Sequence, residues 1–388
     1  MSAPLVKLEK LTTILSGFAF KSANFSETEG LPLARIRDVV RGRSETFYKG
    51  DYSDDFVIND GDMLIGMDGD FNREKWQGGK ALLNQRVCKI TADGVQLDQQ
   101  YLYHFLPDAL LRIHAETPAV TVKHLSVKKI REIEIPLPPL TEQKRIAAIL
   151  DKADALRRKR QQAIDLADQF LRSVFLDMFG DPVTNPKGFP VRTLKEFYCD
   201  QKQGTKCGPF GSALKKDEYQ SDGVPVWNMD NISLSGEFKD SPSLWVTPEK
   251  YEELESYSVL SGDVIISRAG TVGKMGVVRT RYSRSLISTN LIRVRFGPRL
   301  MPEYFVALMT YCKGRVGRLK VGTDGSFTHM NTGILDSIEF PYPPLEVQEG
   351  YLKVRDQVLA GLASQVIAKN ELDGLFASMS QQAFSGKF

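Results

Sequence analysis

The chain contains an internal repeat, and this repeat constrains its fold more than any other feature. Pro138–Gln143 reads Pro-Pro-Leu-Thr-Glu-Gln, and Pro343–Gln348 reads Pro-Pro-Leu-Glu-Val-Gln, 205 residues later. Gly61-Asp62 likewise recurs as Gly262-Asp263, 201 residues later. Repeats of about 20 to 50 residues are typical of solenoids, whereas a period this long has the length of a whole domain. The sequence therefore predicts two related domains around a pseudo-twofold axis.

The spacing of the repeat shrinks toward the start of the chain. Gly30-Leu31-Pro32 matches Gly223-Val224-Pro225 at 193 residues, and Val6 matches Val191 at 185 residues. The second copy has thus gained about twenty residues in its first part. Insertions of this kind usually fall in surface loops.

Each copy divides into a globular part and a long helix. The globular parts combine short β-branched runs, such as Asp263–Ile266, with helical runs, such as Leu97–Ile113. Clusters of Gly, Asn and Asp separate these runs, which predicts mixed domains of an α+β fold. Proline-rich segments then introduce the helices, since proline is favoured in a first helical turn. The predicted parts are residues 1–140 (first domain), 141–180 (central helix), 181–345 (second domain) and 346–388 (C-terminal helix).

Both predicted helices carry an apolar stripe in the same register. Apolar or small residues recur at steps of three and four, and one polar residue interrupts each stripe, Arg160 in the first helix and Gln365 in the second. This spacing is typical of a coiled coil, and a pseudo-twofold requires the pair to run antiparallel. The alternative is that each helix packs only on its own domain. The stripes comprise Ile146, Ile149, Ala153, Leu156, Ala163, Ala167, Phe170 and Val174, then Tyr351, Val354, Val358, Gly361, Ala368, Leu372, Leu375 and Met379.

The composition is that of a globular protein. Hydrophobic residues make up 42% and charged residues 26% of the 388 positions, and no apolar run approaches the roughly 18 residues that a membrane helix needs. The first ten residues lack the apolar core of a signal peptide, and the four cysteines show no disulfide-framework spacing. We therefore expect a cytoplasmic protein with reduced thiols.

The net charge of +3 conceals a locally basic stretch. Between Val264 and Thr323, Glu303 is the only acidic residue, while twelve residues are Lys or Arg. The overall charge neither requires nor excludes a nucleic-acid partner. The stretch itself predicts a local basic field of the kind that attracts one.

No catalytic signature is complete in this sequence. Gly270–Lys274 resembles the end of a phosphate-binding loop, but Arg268 replaces its first glycine and Met275 its metal-binding hydroxyl residue. Three histidines spaced ten residues apart fall on different helix faces, and no cysteine pair has the spacing of zinc ligands. We therefore predict no catalytic residue and no metal site.

Four segments, in their order along the chain, resemble a known family. They are Leu137–Gln143, Gly262–Lys274, Tyr342–Gln348 and Gln381–Lys387. The whole chain resembles the specificity subunit of type I restriction-modification enzymes, in which each of two target-recognition domains is followed by a conserved helix. The first domain departs from this pattern at Ile65–Asp70, so residue roles do not transfer between the halves at that loop.

The resemblance implies a non-catalytic subunit that binds double-stranded DNA and serves host defence. Since its two domains differ, we expect an asymmetric target of two half-sites separated by unread bases. The implied partners are two modification (methyltransferase) subunits and restriction (translocase and nuclease) subunits, without a membrane. No cofactor is expected on this chain, because S-adenosylmethionine belongs to the methyltransferase, and ATP and Mg to the restriction subunit. Two alternatives stay open, a type IIB-like enzyme and a stand-alone DNA-binding regulator.

Candidate DNA-binding residues lie in the glycine-punctuated loops of both domains. Arginine suits guanine, asparagine and glutamine suit adenine, and phosphate contacts set the register. For Trp227, packing inside its domain is the alternative. The candidates are Arg35, Arg37, Asp70, Asn72, Arg73, Lys75 and Gln77 in the first domain, and Lys206, Ser212, Lys215, Trp227, Asn228, Arg268, Thr271 and Lys274 in the second.

Two further features have open interpretations. His124 and His329 lie 205 residues apart, and this matched pair either faces DNA or makes a shared structural hydrogen bond. The run Arg157–Arg160 is either a solvated helix face or a contact to phosphates of the unread bases.

A second apolar line runs beside the stripe of each helix. One stripe suffices to pair the helices, and an exposed apolar strip favours aggregation, so this line is predicted to bind the modification subunits. It comprises Ile164, Leu171, Phe175 and Met178 in the first helix, and Leu352, Leu359, Leu362 and Val366 in the second.

Overall fold

Two compact units make up the chain. Unit 1 consists of Met1–Gln162 together with Val366–Phe388, and unit 2 is Ala163–Gln365. The computed structural model describes residues 3–118, 122–209, 213–233, 236–268, 273–312 and 330–385. The predicted boundaries at 140 and 345 coincide with the starts of long helices, but each of those helices contributes to both units.

Unit 1 contains two sheets, a separate strand pair and helices. Its strands are β1 (Leu5–Lys7), β2 (Thr12–Ser16), β3 (Phe25–Ser26), β4 (Leu31–Ala34), β5 (Phe47–Tyr48), β6 (Val57–Ile58), β7 (Met63–Gly66), β8 (Arg73–Lys75), β9 (Ala81–Leu83), β10 (Val87–Ala92) and β11 (Glu134–Pro136). Its helices are α1 (Gln99–Glu116), α2 (Val127–Arg131) and the first part of α3 (Leu140–Phe179). Short 3-10 helices cover Leu8–Lys10, Ser22–Asn24, Ile36–Asp38 and Asp54–Phe56.

Unit 2 has a similar set of elements. Its strands are β12 (Val191–Thr193), β13 (Thr205–Cys207), β14 (Val224–Trp227), β15 (Trp245–Val246), β16 (Val264–Ser267), β17 (Met275–Val277), β18 (Leu286–Ile287), β19 (Leu291–Val294) and β20 (Glu339–Pro341). Its helices are α4 (Pro248–Glu253), α5 (Pro302–Tyr311), α6 (Thr332–Asp336) and the first part of α7 (Leu345–Phe384), whose last part belongs to unit 1. Short 3-10 helices cover Leu194–Phe197, Lys216–Glu218, Met229–Asn231 and Glu255–Tyr257.

The two units repeat one topology, which confirms the predicted α+β pseudo-repeat. An antiparallel four-stranded sheet has the order β2-β10-β7-β8 in unit 1 and β13-β19-β16-β17 in unit 2. A second sheet contains a parallel pair in each case, β4 beside β9 and β14 beside β18. The other strands of that second sheet are β3, β5 and β6 in unit 1 and β15 in unit 2.

The remaining strand pair of each unit corrects one predicted match. Leu5 of β1 lies opposite Pro136 of β11, and Val191 of β12 lies opposite Pro341 of β20. Leu5, rather than Val6, is therefore the counterpart of Val191. Matching one valine to another did not identify the register, which is set by which side chains face the core, because a shift of one residue moves each side chain to the opposite face.

Each unit encloses an apolar core of its own. In unit 1, Ile65 and Cys88 of the four-stranded sheet are buried with Tyr101 of α1 and Ile146 of α3. Burial raises the pKa of the Cys88 thiol to about 12. In unit 2 the equivalent sheet, α5 and both long helices enclose the core. Each fully buried large apolar side chain stabilises its unit by about 1.5 to 3 kcal/mol.

The glutamine that ends the first Pro-Pro-Leu motif has a structural role. Gln143 is fully buried, and its Oε1 accepts the N–H of Asp98 at 2.9 Å. Its Nε2 donates to the carbonyl oxygens of Gln96 and Pro138, both at 2.8 Å. Asp98 in turn caps the N terminus of α1. Gln143 therefore ties the start of α3 to the start of α1.

The glutamine of the second motif does the same in unit 2. Gln348 is fully buried, accepts the N–H of Met301 at 3.0 Å and donates to the carbonyl oxygen of Pro343 at 3.0 Å. Met301 is the residue before α5. The repeated motif therefore forms the same helix junction in both units, and its role is structural.

In unit 1 the first part of α3 packs antiparallel to the last part of α7. The Arg157 guanidinium lies 2.6 Å from the Asp373 carboxylate and 4.4 Å from the centre of the Phe376 ring. Ile146, earlier in α3, shares the core with Ala383, later in α7. The order of contacts along one helix is reversed along the other, as the predicted antiparallel pair requires.

In unit 2 the end of α3 contributes aromatic rings to the core. Phe175 packs on Tyr351 of α7 and Tyr304 of α5, with ring centroids 5.3 and 5.9 Å apart. Leu171 and Phe175 are only 4% and 0% exposed. Their predicted role in binding a modification subunit is therefore wrong, because the fold of unit 2 already covers them.

The rest of the predicted partner line is more accessible. Leu359 and Val366 are exposed, whereas Ile164, Met178, Leu352 and Leu362 are half-buried. Three stripe residues predicted to pair the helices are instead exposed by about half, Leu156 by 50%, Phe170 by 51% and Leu375 by 54%. The buried face of α3 has thus turned away from the predicted stripe, since it packs against the globular domains as well as against α7.

Candidate nucleic-acid interface

The candidate interface of each unit lies at the carboxyl ends of its parallel strand pair. In unit 1, Arg35 follows β4 and Asn84 follows β9, while in unit 2, Asn228 follows β14 and Ser288 follows β18. Backbone hydrogen bonds hold these loop starts against the sheets, because Asn84 and Ser288 both donate to the neighbouring parallel strand. The two units therefore present loops from equivalent places on one frame.

Arg35 and Asn228 occupy equivalent positions on that frame. The Arg35 N–H donates to the Asp38 carboxylate at 3.0 Å, and the Asn228 N–H donates to the side-chain oxygen of Asn231 at 3.0 Å. Each residue begins a short 3-10 helix. One backbone arrangement thus carries arginine in unit 1, which suits guanine, and asparagine in unit 2, which suits adenine.

Backbone hydrogen bonds hold three segments of unit 1 together. The N–H of Asn84 donates to the carbonyl of Ala34 at 3.2 Å, and the N–H of Met67 donates to the carbonyl of Arg86 at 3.0 Å. We call these segments, residues 34–45, 66–72 and 84–86, the unit 1 loop cluster. Backbone hydrogen bonds therefore link the three segments of this cluster.

A polar network joins His124 to two residues of the unit 1 loop cluster, Asp68 and Arg86. Asp68 Oδ1 is 2.6 Å from His124 Nδ1, and Asp68 Oδ2 is 3.5 Å from Arg86 Nε. His124 and Arg86 keep about half of their side-chain surface exposed, 52% and 53%. His124 therefore makes a structural contact, while His329 lies outside the described residues.

The corresponding loops of unit 2 are also held together. The Arg268 N–H donates to the carbonyl of Asn290 at 3.0 Å, and Lys274 Nζ donates to the carbonyl of Met229 at 2.8 Å. The carboxamide of Asn228 accepts the Asp230 N–H at 2.7 Å. We call residues 227–231, 267–268, 273–274 and 288–290 the unit 2 loop cluster. Three predicted DNA-binding residues meet here, namely Asn228, Arg268 and Lys274.

The first domain's predicted residues fall into two groups. Arg37, Asp70, Asn72 and Gln77 are exposed, and Arg35 is half-buried with its guanidinium 5.6 Å from the Phe25 ring. Arg73 and Lys75 lie instead on β8, where Lys75 donates to Gln100 of α1 and Arg73 packs on Tyr103 of α1. The structure therefore places the first group at the surface, whereas Arg73 and Lys75 contact α1.

The Arg73 side chain packs against an aromatic ring of α1. Its guanidinium carbon lies 3.5 Å from the centre of the Tyr103 ring, and burial lowers the pKa of Arg73. Burial also raises the pKa of the Tyr103 hydroxyl to about 12, and that hydroxyl donates to Glu74 at 2.6 Å. The structure therefore places Arg73 on a strand that packs on α1 rather than in a glycine-rich loop, and its DNA contact stays a prediction.

The second domain's remaining candidates are more scattered. Lys206 lies on β13 with its ammonium 4.9 Å from the Tyr257 ring centre, and Lys215 is exposed at the start of a 3-10 helix. Trp227 is fully buried and packs on Phe238, so its predicted DNA contact is wrong and the packing alternative holds. Two candidates lie outside the described residues, Ser212 and Thr271.

The predicted basic field of the second domain is partly neutralised, since four of its twelve basic residues are paired with acids. Four of its arginines form ion pairs, three of them with acids from outside the stretch, and a fifth, Arg293, is buried and donates to the Ser258 carbonyl at 2.7 Å. Burial lowers the pKa of Arg293. The pairs are Arg279 with Glu303, Arg281 with Asp240, Arg284 with Glu252, and Arg295 with Asp263. Lys313, Arg315, Arg318 and Lys320 lie outside the described residues.

Two exposed arginines of unit 1 were missed by the sequence reasoning. Arg41 and Arg43 line a surface recess together with Gln77. The signal was present, since four arginines alternate with other residues between Arg35 and Arg43. It was overlooked because acidic residues elsewhere in the first domain balance its total charge.

Other kinds of site were sought in the part of the chain that the structure describes. No group of three or more His, Cys, Asp or Glu side chains could hold a metal ion there. The four cysteines, all within the described ranges, are free. Among these residues, no helix is long and apolar enough to cross a membrane.

A family model matches the first part of the chain. Residues 5–166 match the type I restriction modification DNA specificity domain. This match covers unit 1 apart from the end of α7. The unit 2 loop cluster lies beyond it.

Named relatives extend over both units. The EcoBI specificity subunit of a type I restriction enzyme from Escherichia coli is 30% identical over 323 residues, which are 77% of this chain and 65% of that protein. The MjaVIII specificity subunit from Methanocaldococcus jannaschii is 25% identical over 76% of this chain and 71% of its own length. The chain thus spans just under two thirds of the Escherichia coli relative.

A solved structure shares the fold. The crystal structure of a type I restriction-modification S subunit from M. genitalium matches with a TM-score of 0.56 and 15% identity, covering 98% of this chain and 96% of that one. At this identity the likeness concerns the fold alone.

Proposed function

We propose that this chain belongs to the specificity subunits that its sequence matches, and that it is the DNA-reading subunit of a type I restriction-modification enzyme. It would bind double-stranded DNA and position the subunits that methylate and cleave it. In this role the chain contributes recognition and no catalytic residue. It would act in the cytoplasm as part of host defence.

The observation that carries this proposal is the repeated frame with different side chains at equivalent positions. Arg35 of unit 1 stands where unit 2 has Asn228, and the backbone N–H of each donates to the side-chain oxygen of the residue three positions later. Two equivalent backbone arrangements that carry different polar side chains are suited to recognise two different short base sequences. The target is therefore expected to be asymmetric and split into two half-sites separated by unread bases.

The chemistry is assigned to partner subunits. Two modification subunits would bring S-adenosylmethionine and extrude the target base, since methyl transfer to a base requires it outside the stack. Restriction subunits would bring ATP and Mg for translocation and cleavage. The accessible apolar residues of the long helices, such as Leu359 and Val366, are the candidates for contact with the modification subunits.

The deciding experiment is a methylome of the native host, with and without this chain. We expect a split, asymmetric motif whose methylation disappears when the chain is deleted. Replacing residues 1–140 by the corresponding domain of a relative should change one half-site and leave the other unchanged. Replacing residues 181–345 is the matched control and should change only the second half-site.

Other results would favour other functions. A continuous or palindromic motif would contradict two independent reading units. Unchanged methylation on deletion, together with tight sequence-specific binding by the isolated chain, would indicate a stand-alone regulator. Purification of the chain with a single fused methyltransferase and nuclease would indicate a type IIB-like enzyme.

A further inference from the structure

A short turn between β4 and β5 carries two exposed arginines. Gly42 lies in the left-handed region with φ of 67°, and its N–H donates to the carbonyl of Asp38 at 2.9 Å. The N–H of Gln77 donates to the Gly42 carbonyl at 2.9 Å, which ties the turn to the segment after β8. Arg41 and Arg43 flank this glycine. We call residues 39–45 together with Gln77 the arginine turn.

The arginine turn rests on buried groups that fix its backbone. Asp38 is only 1% exposed, and its carboxylate accepts the Arg35 N–H at 3.0 Å and the Ser44 hydroxyl at 3.1 Å. Ser44 donates also to the carbonyl of Leu33 at 2.8 Å. Trp76 is buried beneath the turn with its indole N–H bonded to a carbonyl oxygen at 2.8 Å. The backbone that carries the arginines is therefore fixed before any ligand arrives.

The side chains of the arginine turn are held weakly or not at all. Arg41 is 58% exposed, and its guanidinium is 3.8 Å from a Glu45 carboxylate that is itself 77% exposed. Such surface pairs contribute about 1 kcal/mol or less. The side chains of Arg43 and Gln77 have no hydrogen bond or ion pair within the described ranges. These three side chains line one recess and are available to a ligand.

Among the described residues of unit 2, no pair of arginines lies at the corresponding turn. Its loop between β14 and β15 contains no arginine, and the carboxamide of Asn231 is used to bind the carbonyl oxygens of Lys239 and Ser241. Arg284, an exposed arginine elsewhere in unit 2, is paired with Glu252 at 2.9 Å. The arginine turn is thus a property of one reading unit.

We propose that Arg41, Arg43 and Gln77 read base edges in the half-site that unit 1 binds. The proposal rests on the DNA-reading function above and names the residues that give this unit its specificity. Arginine forks bind the O6 and N7 of guanine, and glutamine binds the N6 and N7 of adenine. A neutral glutamine contributes little to attracting phosphates, so its place between two arginines on a fixed turn points to bases rather than to the backbone.

The test is the base discrimination of the chain assembled with its modification subunits. Binding is measured for the host's methylated sequence and for duplexes in which each base pair of both half-sites is changed in turn. The variants are Arg41→Lys with Arg43→Lys, which keeps the charge and removes the fork, and Gln77→Ala. Arg284→Lys is the matched control, because that arginine is equally exposed but paired within unit 2.

We expect each variant to lose roughly 5- to 150-fold discrimination at one or more positions of a single half-site, the range for one bidentate contact. The control should keep the full discrimination. Discrimination within fivefold of the unchanged chain at every position would overturn the proposal and leave the turn as a phosphate contact. If the unchanged chain shows no split target at all, the proposed function fails, which is a separate outcome. Equal melting temperatures confirm that the variants are folded.

Discussion

Replacing Gln143 should test whether the repeated motif is a structural junction. The Gln143→Met variant keeps the length and volume of the side chain but removes its amide. The Asp98 N–H and the carbonyl oxygens of Gln96 and Pro138 then lose their partner. A buried polar group left unpaired costs about 1 to 3 kcal/mol. With three such groups, we expect unit 1 to lose at least about 3 kcal/mol of unfolding free energy.

Gln348→Met is the matched variant in unit 2. Gln348 makes two of these hydrogen bonds rather than three, with the Met301 N–H and the Pro343 carbonyl. We therefore expect a smaller loss of at least about 2 kcal/mol, confined to unit 2. Comparing the two variants shows whether the loss of stability follows the number of hydrogen bonds removed or is the same for both copies of the motif.

The measurement is amide hydrogen exchange read by mass spectrometry, because a chain of two units need not unfold in one step. Protection of α1 should fall in the Gln143 variant, and protection of α5 in the Gln348 variant. Losses below about 1 kcal/mol in both variants, or a larger loss in the Gln348 variant, would refute the assignment of the motif to helix junctions.

Two further predictions concern the long helices. Hydrogen bonds from Lys369 and Arg157 lower the pKa of Asp373, so its stabilisation is complete above the unfolded pKa of about 4 and is lost as the pH falls through the lower folded value. Asp373→Asn should therefore lower stability by up to about 1 kcal/mol at pH 7, and the difference from the parent chain, measured by urea unfolding, should shrink between about pH 5 and 3. Phe175→Ala should cost about 3 to 5 kcal/mol of unit 2 stability, because the ring is fully buried. Phe170→Ala is its half-exposed control and should cost about 1 kcal/mol or less; equal effects in urea unfolding would contradict the observed burial.

The repeat and the helices could be predicted from the sequence because they are encoded locally. Pro-Pro-Leu segments and three-four spacing place the start of α3 within one residue of its observed position at Leu140. The side of α3 that is buried could not be predicted in the same way. Leu156 and Phe175 belong to two neighbouring apolar lines of similar hydrophobicity, and only contacts with the globular domains decide between them.

The candidate interface was predicted less well, because charge pairing depends on long-range contacts. Arg295 looked like part of a basic field, but Asp263 of a neighbouring strand binds it at 2.8 Å with both oxygens. Trp227 looked like a loop residue, but it is the last residue of a buried strand. Conversely, Arg41 and Arg43 were passed over because acidic residues elsewhere in the first domain balance its total charge, whereas the ion pair at this turn is the exposed one between Arg41 and Glu45.

The order of the two units along the chain has a consequence for synthesis on the ribosome. Unit 2 is one continuous stretch, Ala163–Gln365, whereas unit 1 needs both ends of the chain. Phe384 packs on Tyr101 and Phe105, with ring centroids 5.2 Å away in each case. The domain that is translated first must therefore wait for the last helix turns before its core can close. A nascent chain that stops before the end of α7 leaves the core of unit 1 incomplete and exposed to proteases, so such a truncated chain is expected not to accumulate.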